Sequence, residues 1–365
     1  MAADADPALQ ALFLPIESGA LPWPSEGGAL FLRARDGWPL HVQSRPGLDC
    51  TQAFKPAAEA LQRSGLGLVD EDLVPQGRYP LVLLLPPRQR EEARALFARA
   101  IAHLRPGGIV LASMPNDEGA RAGEADLARL AGPLSVLSKH HCRVFWSRPL
   151  QGAIDPALQS AWAALDAPRE MTGESFPGGR FVSRTGVFAW DRIDAASMLL
   201  ATHLPHDLAG EGADLGAGWG YLAAQVLAKC PRVTALDLFE ADARALALAQ
   251  TNLASLHSQT KLGFHWHDVT AGLPKPYDFL VSNPPFHALG RGERPDIGRA
   301  FIAAAAAALK PGGRFWLVAN RHLPYEAVLD ANFGAVRAVA QQGGFKVVEA
   351  VKTSAAESSA GRSAR

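Results

Sequence analysis

The sequence predicts an α/β protein in which one arrangement of strands and helices is built twice in tandem. Three observations indicate this fold. Each half contains an apolar run that ends at Pro-Pro, each half contains a helix that leads into Pro-Gly-Gly, and the second half contains a glycine-rich turn between a strand and a helix. Continuous apolar runs are typical of parallel strands that helices cover on both faces.

In the first half, the apolar run covers Tyr79–Leu85 and is followed directly by Pro86-Pro87. Arg90–Leu104 has apolar residues at helical spacing, which predicts an amphipathic helix. Pro106-Gly107-Gly108 is expected to end this helix, and the next strand is expected to begin with Ile109–Ala112.

The second half repeats these features in the same order. The strand Tyr277–Ser282 leads to Pro284-Pro285, and the spacing from Tyr to Pro-Pro is the same in both halves. A helix over Arg299–Leu309 runs into Pro311-Gly312-Gly313, and the strand Arg314–Ala319 follows. Two matched landmarks in matched structural context indicate a duplicated domain.

Turn signals place the boundaries between the parts of the chain. We expect a first domain over residues 1–166, a linker over 167–184 and a second domain over 185–352. Ala167-Pro168 and Phe176-Pro177-Gly178-Gly179 are the turn signals within the linker. Residues 353–365 are rich in Ser, Ala and Gly, which predicts a disordered tail.

The composition is 48% hydrophobic and 20% charged, which is typical of a globular protein. The 36 Lys and Arg residues balance 36 Asp and Glu residues, so any nucleic-acid surface must arise from local clustering of cations. The three cysteines form no metal or disulfide pattern. We found no long apolar run and no signal peptide, and therefore expect a cytoplasmic protein with no metal and no membrane segment.

A glycine-rich turn in the second half predicts a ligand site. Asp214 would end a short strand, and Gly216, Gly218 and Gly220 form a turn into the helix Tyr221–Lys229. Glycines allow a ligand to approach the backbone closely, and the helix N-terminus offers free N–H donors. Such a turn also fits an ordinary strand-to-helix loop or other nucleotide-binding folds.

Two acidic residues follow at the ends of the next two predicted strands. Asp237, after the strand Arg232–Leu236, is placed to accept hydrogen bonds from ribose hydroxyls, although it also fits a helix cap. Asp268, after the strand Leu262–His267, could accept from an adenine amino group or serve as a solvated turn residue. The sequence leaves both alternatives for Asp268 open.

The Asp-x-Gly-x-Gly-x-Gly pattern, followed by Asp237, Asp268 and Asn-Pro-Pro-Phe, resembles the class I S-adenosylmethionine (SAM)-dependent methyltransferases. The resemblance covers roughly Thr185 to Lys352 and implies a Rossmann-like domain with a mixed seven-stranded sheet and bound SAM. Phe188 and Trp219 would form walls of the SAM site, or would pack in the core. The first half lacks the glycine turn, so the resemblance implies two tandem domains of which the first is degenerate.

In the resembled family, Asn-Pro-Pro followed by an aromatic residue is the signature of methylation at a planar nitrogen. The side-chain oxygen of Asn283 and the backbone carbonyl of Pro284 are both acceptors. Together they can hold the two protons of an amine and orient its lone pair toward the methyl group. We therefore predict that Asn283 and Pro284 are catalytic.

The remaining residues of the loop are predicted to contact the substrate. Pro285 stiffens the loop, Phe286 offers a flat face for stacking and is predicted to join the catalytic set, and His287 would order the loop or contact the substrate. A rigid turn and a core phenylalanine would explain the same residues. The first half retains the turn as Leu85-Pro86-Pro87-Arg88 without the Asn or the aromatic residue, so the turn does not need them.

Further motifs resemble the ribosomal RNA guanine-N2 methyltransferases of the RsmC type, as does the pairing of a degenerate domain with an active one. These motifs are Thr185-Gly186-Val187-Phe188 with Asp191-x-Ile193-Asp194, the pentad Asn283–His287, Val318-Ala319-Asn320-x-x-Leu323-Pro324-Tyr325, Phe345-Lys346-Val347, and Lys139–Trp146. The chain departs from the family pattern at Ala189, where Ser is common, and at Trp219, where smaller residues are common.

This resemblance implies methylation of a guanine N2 amine in small-subunit (16S) ribosomal RNA, with ribosomal RNA or the 30S subunit as partner of a monomeric enzyme. Alternatives are a guanine of large-subunit RNA, a glutamine amide of a release factor, or an assembly factor that binds RNA through an inactive SAM fold. The first domain is interpreted as an RNA-binding or structural scaffold, with phosphate contacts or a solvated surface formed by Arg88, Arg90, Arg94, Arg99, Arg105, Arg121, Lys139 and Arg143.

Overall fold

The computed structural model describes residues 6–254, 256, 259–285 and 295–353. The chain divides into two compact units, the first formed by Met1–Ala167 with Arg184–Gly186 and the second by Pro168–Ser183 with Val187–Arg365. Each unit is built on one seven-stranded mixed sheet with its own packed helices and hydrophobic core. The predicted fold class, two tandem Rossmann-like α/β domains, is therefore confirmed.

In the first unit the sheet order is β3-β2-β1-β4-β5-β7-β6, and β7 runs antiparallel to both of its neighbours. The strands are β1 (Ala29–Leu32), β2 (Leu48–Cys50), β3 (Gly67–Leu68), β4 (Tyr79–Leu84), β5 (Leu104–Pro115), β6 (Leu134–Lys139) and β7 (Cys142–Ser147). The helices are α1 (Pro7–Glu17), α2 (Lys55–Arg63), α3 (Arg90–His103), α4 (Ala120–Ala131) and α5 (Pro156–Ala163).

The second unit begins with a two-stranded hairpin and continues into a sheet of order β12-β11-β10-β13-β14-β16-β15. The strands are β8 (Arg169–Thr172), β9 (Arg180–Ser183), β10 (Ala209–Leu215), β11 (Arg232–Glu240), β12 (Lys261–Trp266), β13 (Tyr277–Ser282), β14 (Leu309–Asn320), β15 (Ala335–Gln342) and β16 (Phe345–Val351). The helices are α6 (Ala195–His203), α7 (Tyr221–Lys229), α8 (Ala243–Ala254), α9 (Pro295–Ala308) and α10 (Glu326–Asn332).

The two sheets have the same strand order, and each contains the same kind of polar contact at the same place. In the first unit the Tyr79 hydroxyl donates to Asp49 Oδ2 over 2.8 Å, and in the second the Tyr277 hydroxyl donates to Asp237 Oδ2 over 2.8 Å. Each tyrosine begins the central strand, and each aspartate lies on the strand two places away in the sheet. The same hydrogen bond at the same place supports the duplication that the Pro-Gly-Gly repeat indicates.

The Pro-Gly-Gly segments lie inside strands and not before them, which differs from the prediction. The helices end at His103 and Ala308, and β5 and β14 begin at the next residue. The register of each strand against its neighbour shifts within this segment, and the first of the two glycines has a left-handed φ in both units. Glycine adopts this conformation without strain, so the strand can contain an irregularity at this point. From the sequence alone, Pro-Gly-Gly is expected to separate the helix from the strand.

The segment 167–184, predicted as a linker, contains the β8–β9 hairpin of the second unit. The buried side chain of Asn252 accepts from Val182 N over 2.7 Å and donates to Val182 O over 3.0 Å. The ring of Phe181 packs at 5.4 Å from that of Phe176 and at 5.9 Å from that of Trp219. Phe176-Pro177-Gly178-Gly179 lies in the turn of this hairpin, the residues on both sides of the turn form strands, and β9 packs against α8.

The tyrosine contacts give a test of the duplicated frame. Tyr277→Phe leaves the Asp237 carboxylate without one of its donors, so we expect the free energy of opening of the second sheet to fall by about 1–3 kcal/mol. Tyr79→Phe should have a similar effect on the first sheet because Asp49 loses the same donor. Native-state hydrogen exchange of amides in β4 and β13 measures each sheet separately. Equal protection in Tyr277→Phe and the unmodified protein would contradict this interpretation.

Candidate active site

The glycine turn connects the carboxyl end of β10 to α7. Gly216, Gly218 and Gly220 have φ values of +72°, +55° and +90°, all in the left-handed region that favours glycine. The N–H of Gly216 donates to Phe239 O over 2.8 Å, and the N–H of Gly220 donates to Ala217 O over 2.9 Å. The turn is therefore held against the neighbouring strand β11, and it leads from the strand into the helix, as the glycine spacing predicts.

Glu240 is the acidic residue at the carboxyl end of β11, beside this turn. Its Oε2 accepts the N–H of Gly218 over 2.7 Å, and its Oε1 accepts the N–H of Asp242 over 2.8 Å. Burial raises the pKa of the Glu240 carboxyl above its ordinary value, while these backbone donors act in the opposite direction. The Glu240 carboxylate thus connects the glycine turn to the end of β11.

The prediction that Asp237 ends this strand is wrong, because β11 continues for three more residues to Glu240. Asp237 pairs with Ala213 inside the sheet and accepts from the Tyr277 hydroxyl over 2.8 Å. Its carboxylate also lies 3.1 Å from the Lys275 ammonium. Asp237 is committed to these partners within the sheet, and Glu240 occupies the strand-end position that the sequence analysis assigned to Asp237.

The error has a physical reason. The segment Leu238-Phe239 is apolar and continues the strand, but the acidic residue before it looked like a strand end. Because β11 ends at Glu240, Asp237 lies three residues before the carboxyl end of the strand, which is about 10 Å at the usual rise per residue, and this is too far for it to face a ligand at that edge. The missed signal was the second acid, Glu240, which directly precedes the sequence of helix α8.

Asp214 lies beneath the glycine turn and is completely buried. Burial raises the pKa of its carboxyl to about 7, the N–H of Ala223 opposes this shift, and the nearby Glu240 carboxylate adds to it. Asp214 Oδ2 accepts the Ala223 N–H over 3.0 Å, whereas Oδ1 has no hydrogen-bond partner among the described residues. This carboxyl therefore joins the end of β10 to the first turn of α7 and keeps one polar atom unused.

Asn283 follows β13 and lies beside the glycine turn, since β13 pairs Ser282 with Leu215. The Ser282 hydroxyl donates to Leu215 O over 2.7 Å and reinforces this register. The Asn283 side-chain nitrogen donates to Asp194 Oδ2 and to Ser197 Oγ, each over 2.9 Å. The side-chain oxygen of Asn283 is consequently left as the acceptor on the other side of the amide.

The glycine turn and Asn283 line one pocket. It is lined by Phe188, Ala189, Asp194, Ser197, Gly216, Ala217, Gly218, Trp219, Tyr221, Leu222 and Asn283. Phe188 is 61% exposed, whereas Trp219 is buried and its indole N–H donates to Phe188 O over 3.1 Å. Both predicted aromatic walls line the pocket, but most of the Trp219 ring packs in the core. Ala189 adopts a left-handed φ of +51° at the pocket edge.

The remaining predicted site residues are placed differently. Asp268 follows β12, and its Oδ1 accepts from both the N–H and the hydroxyl of Thr270, over 2.9 and 2.7 Å. This is the turn role that the sequence analysis kept as an alternative. Pro284 is buried and Pro285 is exposed. Phe286 and His287 lie outside the described residues.

The first unit has different residues at four positions that correspond to the glycine turn, the two acids beside it and the asparagine. Asp49 and Asp237 each accept from the tyrosine of the central strand, so they are equivalent positions. Asp49 pairs with Leu30 of β1 and Asp237 pairs with Ala213 of β10, which aligns the two sheets residue by residue. On this alignment the first unit has Phe31 for Asp214, Arg33 for Gly216, Gln52 for Glu240 and Leu85 for Asn283. It keeps Asp49, Pro86 and Pro87 where the second unit has Asp237, Pro284 and Pro285.

Arg33 shows what this replacement does to the turn. It adopts a left-handed φ of +56°, close to the conformation of Gly216, although it carries a long side chain. Its guanidinium forms an ion pair with the buried carboxylate of Glu92. The first unit thus retains the path of the backbone but has an ion-paired side chain where the second unit has a glycine.

The part of the chain that the structure describes shows no sign of a metal site or of a membrane span. It contains no group of three or more His, Cys, Asp or Glu side chains arranged to hold a metal ion. None of its helices is long and apolar enough to cross a membrane.

Asp214 makes stability depend on pH. Its pKa in the folded protein, about 7, exceeds the value of about 3.9 for an unfolded chain. Above pH 4 the unfolded chain releases a proton that the folded chain keeps, so stability is lost as the pH rises through about 7. Asp214→Asn should reduce this loss, on the order of a few kcal/mol, while still accepting the Ala223 N–H. Urea unfolding at pH 5 and pH 8 measures the effect, and equal losses in both proteins would contradict it.

The comparisons with known proteins agree with this geometry. A family model described as the methyltransferase small domain matches residues 178–349. The "Ribosomal RNA small subunit methyltransferase C" of Shewanella baltica is 30% identical over 288 residues, which cover 78% of this chain and 79% of that relative. The protein of the same name from Erwinia tasmaniensis is 31% identical over 273 residues, which cover 74% of this chain and 75% of that relative.

A solved structure matches across both units. It is the Thermus thermophilus 16S rRNA N2 G1207 methyltransferase (RsmC), in complex with AdoMet and guanosine. The match has a TM-score of 0.79 and 25% sequence identity, and it covers 96% of this chain and 93% of that one. The resemblance derived from the sequence is confirmed, and the chain belongs to the ribosomal RNA small subunit methyltransferase C family.

Proposed function

We propose that this protein transfers the methyl group of SAM to the N2 amine of a guanine in 16S ribosomal RNA. The observation that carries the proposal is the orientation of Asn283, whose amide nitrogen is fully engaged beside the glycine turn. Its side-chain oxygen is thereby available as an acceptor next to the predicted cofactor site. The family relatives are named as small-subunit ribosomal RNA methyltransferases, and the Thermus protein was solved with AdoMet and guanosine.

The cofactor site would be formed by the ends of three strands. Backbone groups of Gly216, Gly218 and Gly220 would let SAM approach closely, and Glu240 would accept the ribose hydroxyls. Asp268 would meet the adenine amino group with its second carboxylate oxygen. Phe188, which is exposed at the pocket, would cover the bound cofactor.

When bound, SAM supplies an electrophilic methyl group on its sulfonium sulfur. Asn283 Oδ1 and the carbonyl oxygen of Pro284 would each accept one proton of the guanine amine. This holds the nitrogen lone pair toward the methyl carbon and favours a pyramidal nitrogen. The new N–C bond would form as the C–S bond breaks, and the methylated amine would then lose one proton to water, so a strong base would not be needed. Phe286 stays a predicted stacking platform, and His287 a predicted loop or substrate contact.

The first unit would contribute to substrate binding and not to cofactor binding, because Arg33 and Phe31 replace the glycine and the acid of the turn. Four of its candidate phosphate-binding residues are engaged by carboxylates, since Arg90 and Arg94 pair with Asp126, Arg99 with Glu71 and Asp166, and Arg143 with Glu124. The exposed candidates that remain for RNA are Arg88, Arg105, Arg121 and Lys139. A ribosomal substrate would place the reaction in the cytoplasm.

Methyl transfer from labelled SAM tests the substrate directly. We expect label in RNA of purified 30S subunits that lack the modification, and N2-methylguanine after nuclease digestion and mass spectrometry. Asn283→Ala should nearly abolish transfer while leaving SAM affinity almost unchanged, because the amide contacts the amine and not the cofactor. Label in 50S subunits or in a release factor, without label in 30S subunits, would reject this substrate. Absence of SAM binding would favour an assembly factor.

The two acidic residues of β11 provide a matched test of the cofactor site. Glu240→Gln should weaken SAM binding roughly tenfold or more, because a charged acceptor of the ribose hydroxyls is lost. Asp237→Asn should leave SAM affinity within about twofold, because that side chain is engaged within the sheet by Tyr277. Isothermal titration calorimetry measures both. The opposite ranking would return the ribose role to Asp237.

A further inference from the structure

Asp194 lies beside Asn283, at the N-terminus of α6. We propose that Asp194 is a positioning residue: it sets which end of the Asn283 amide faces the substrate amine. The inference rests on the proposed function of Asn283, and it identifies the group through which the fold enforces that function.

The hydrogen bonds identify the two ends of the amide. An amide can be rotated by 180° with little change in shape, which exchanges its oxygen and its nitrogen. A carboxylate can only accept, so the atom of Asn283 that lies 2.9 Å from Asp194 Oδ2 is the nitrogen. The Ser197 hydroxyl accepts the second amide proton over 2.9 Å. Both donors are thus engaged, and the oxygen is the group left to accept from a substrate.

Asp194 is itself held in place. Its Oδ2 also accepts the N–H of Ser197 over 2.9 Å, which caps α6. The helix N-terminus stabilises the negative charge of the carboxylate. Ala196, Leu200 and Ala201 of the same helix are buried in the core of the second unit, so the cap cannot shift without disturbing this packing. Asn283 is therefore positioned by a rigid element.

The charge of Asp194 also affects the chemistry. A carboxylate that accepts a hydrogen bond from the amide N–H polarises the amide group and increases the negative partial charge on the amide oxygen. That oxygen then accepts an amine proton more strongly, and the benefit grows as positive charge develops on the attacking nitrogen. If the amide were reversed, Asn283 would present its N–H donors to the N–H donors of the guanine amine, and no hydrogen bond could form between them.

The first unit separates this role from helix capping. Asp6 caps α1 and accepts the N–H of Leu9 over 3.0 Å, three residues further on, as Asp194 accepts that of Ser197. The partner of Asp6 is Arg35, and the position that corresponds to Asn283 is Leu85. In the first unit Asp6 therefore caps the corresponding helix although no asparagine lies at the position of Asn283. Helix capping by Asp194 thus does not by itself require the contact with Asn283.

Asp194→Asn is the informative substitution, because Asn still caps a helix but can donate as well as accept. It would no longer discriminate between the two orientations of the Asn283 amide. We expect kcat for methyl transfer to 30S subunits to fall by about tenfold to a hundredfold, with SAM affinity and Tm almost unchanged. Ser197→Ala should cause a smaller fall. The matched control is Asp6→Asn, which changes the corresponding cap of the first unit and should leave kcat unchanged.

Two measurements distinguish positioning from other roles. In an Asn283→Ala background, Asp194→Asn should cause little further loss in a single-turnover assay, because Asp194 acts through the missing amide. The side-chain amide signals of Asn283 in ¹⁵N-edited NMR spectra, identified by their loss in Asn283→Ala, should shift in Asp194→Asn and stay in place in Asp6→Asn. The NMR measurement needs no substrate, so it decides the inference even if the proposed RNA substrate is wrong.

Three outcomes would overturn the inference: Asn283 amide signals that do not respond to Asp194→Asn, an undiminished kcat in that variant, or an equal loss with and without Asn283. A fall in SAM affinity with unchanged kcat would instead assign Asp194 to the cofactor, which also overturns a positioning role. Failure of the unmodified protein to methylate 30S subunits would reject the proposed function and leave the NMR result to stand separately.

Discussion

The site depends on the parallel pairing of β10 with β11 on one side and β13 on the other. This pairing brings three strand ends to one edge of the sheet, although the first, Leu215, and the last, Ser282, are 67 residues apart along the chain. Ser282 lies opposite Leu215, so Asn283 emerges beside the first glycine of the turn. Because side chains alternate along a strand, a shift of one residue in this register would turn the Asn283 side chain to the other face.

The same frame exists twice, and the first copy shows what the frame does by itself. Strand order, the Pro-Gly-Gly irregularity and the tyrosine–aspartate hydrogen bond are common to both units. The turn glycine, the buried acid, the strand-end acid and the asparagine occur in the second unit alone. The shared features are those that hold a sheet together, and the differing features are those that form or support the predicted site. Fold and chemistry are therefore separable in this molecule.

Around the pocket, carboxylates are used to hold other groups and not solely to meet a ligand. Glu240 holds the turn through Gly218, Asp214 holds the start of α7, and Asp194 holds the amide of Asn283. Two of these acids have raised pKa values because they are buried, which lowers stability in exchange for a defined geometry. A site that works through orientation and not through a strong base needs this kind of support.

The sequence by itself determined the α/β class, the duplication, the glycine turn and Asn283, because these depend on local patterns: apolar runs, glycine spacing and a short motif. It did not determine how far β11 extends, and so assigned the strand-end role to Asp237 and not to Glu240. It identified the motif containing Asp194 but not its contact, since 89 residues separate Asp194 from Asn283. Strand length and long-range contacts are decided by packing against neighbours, which only the tertiary structure contains.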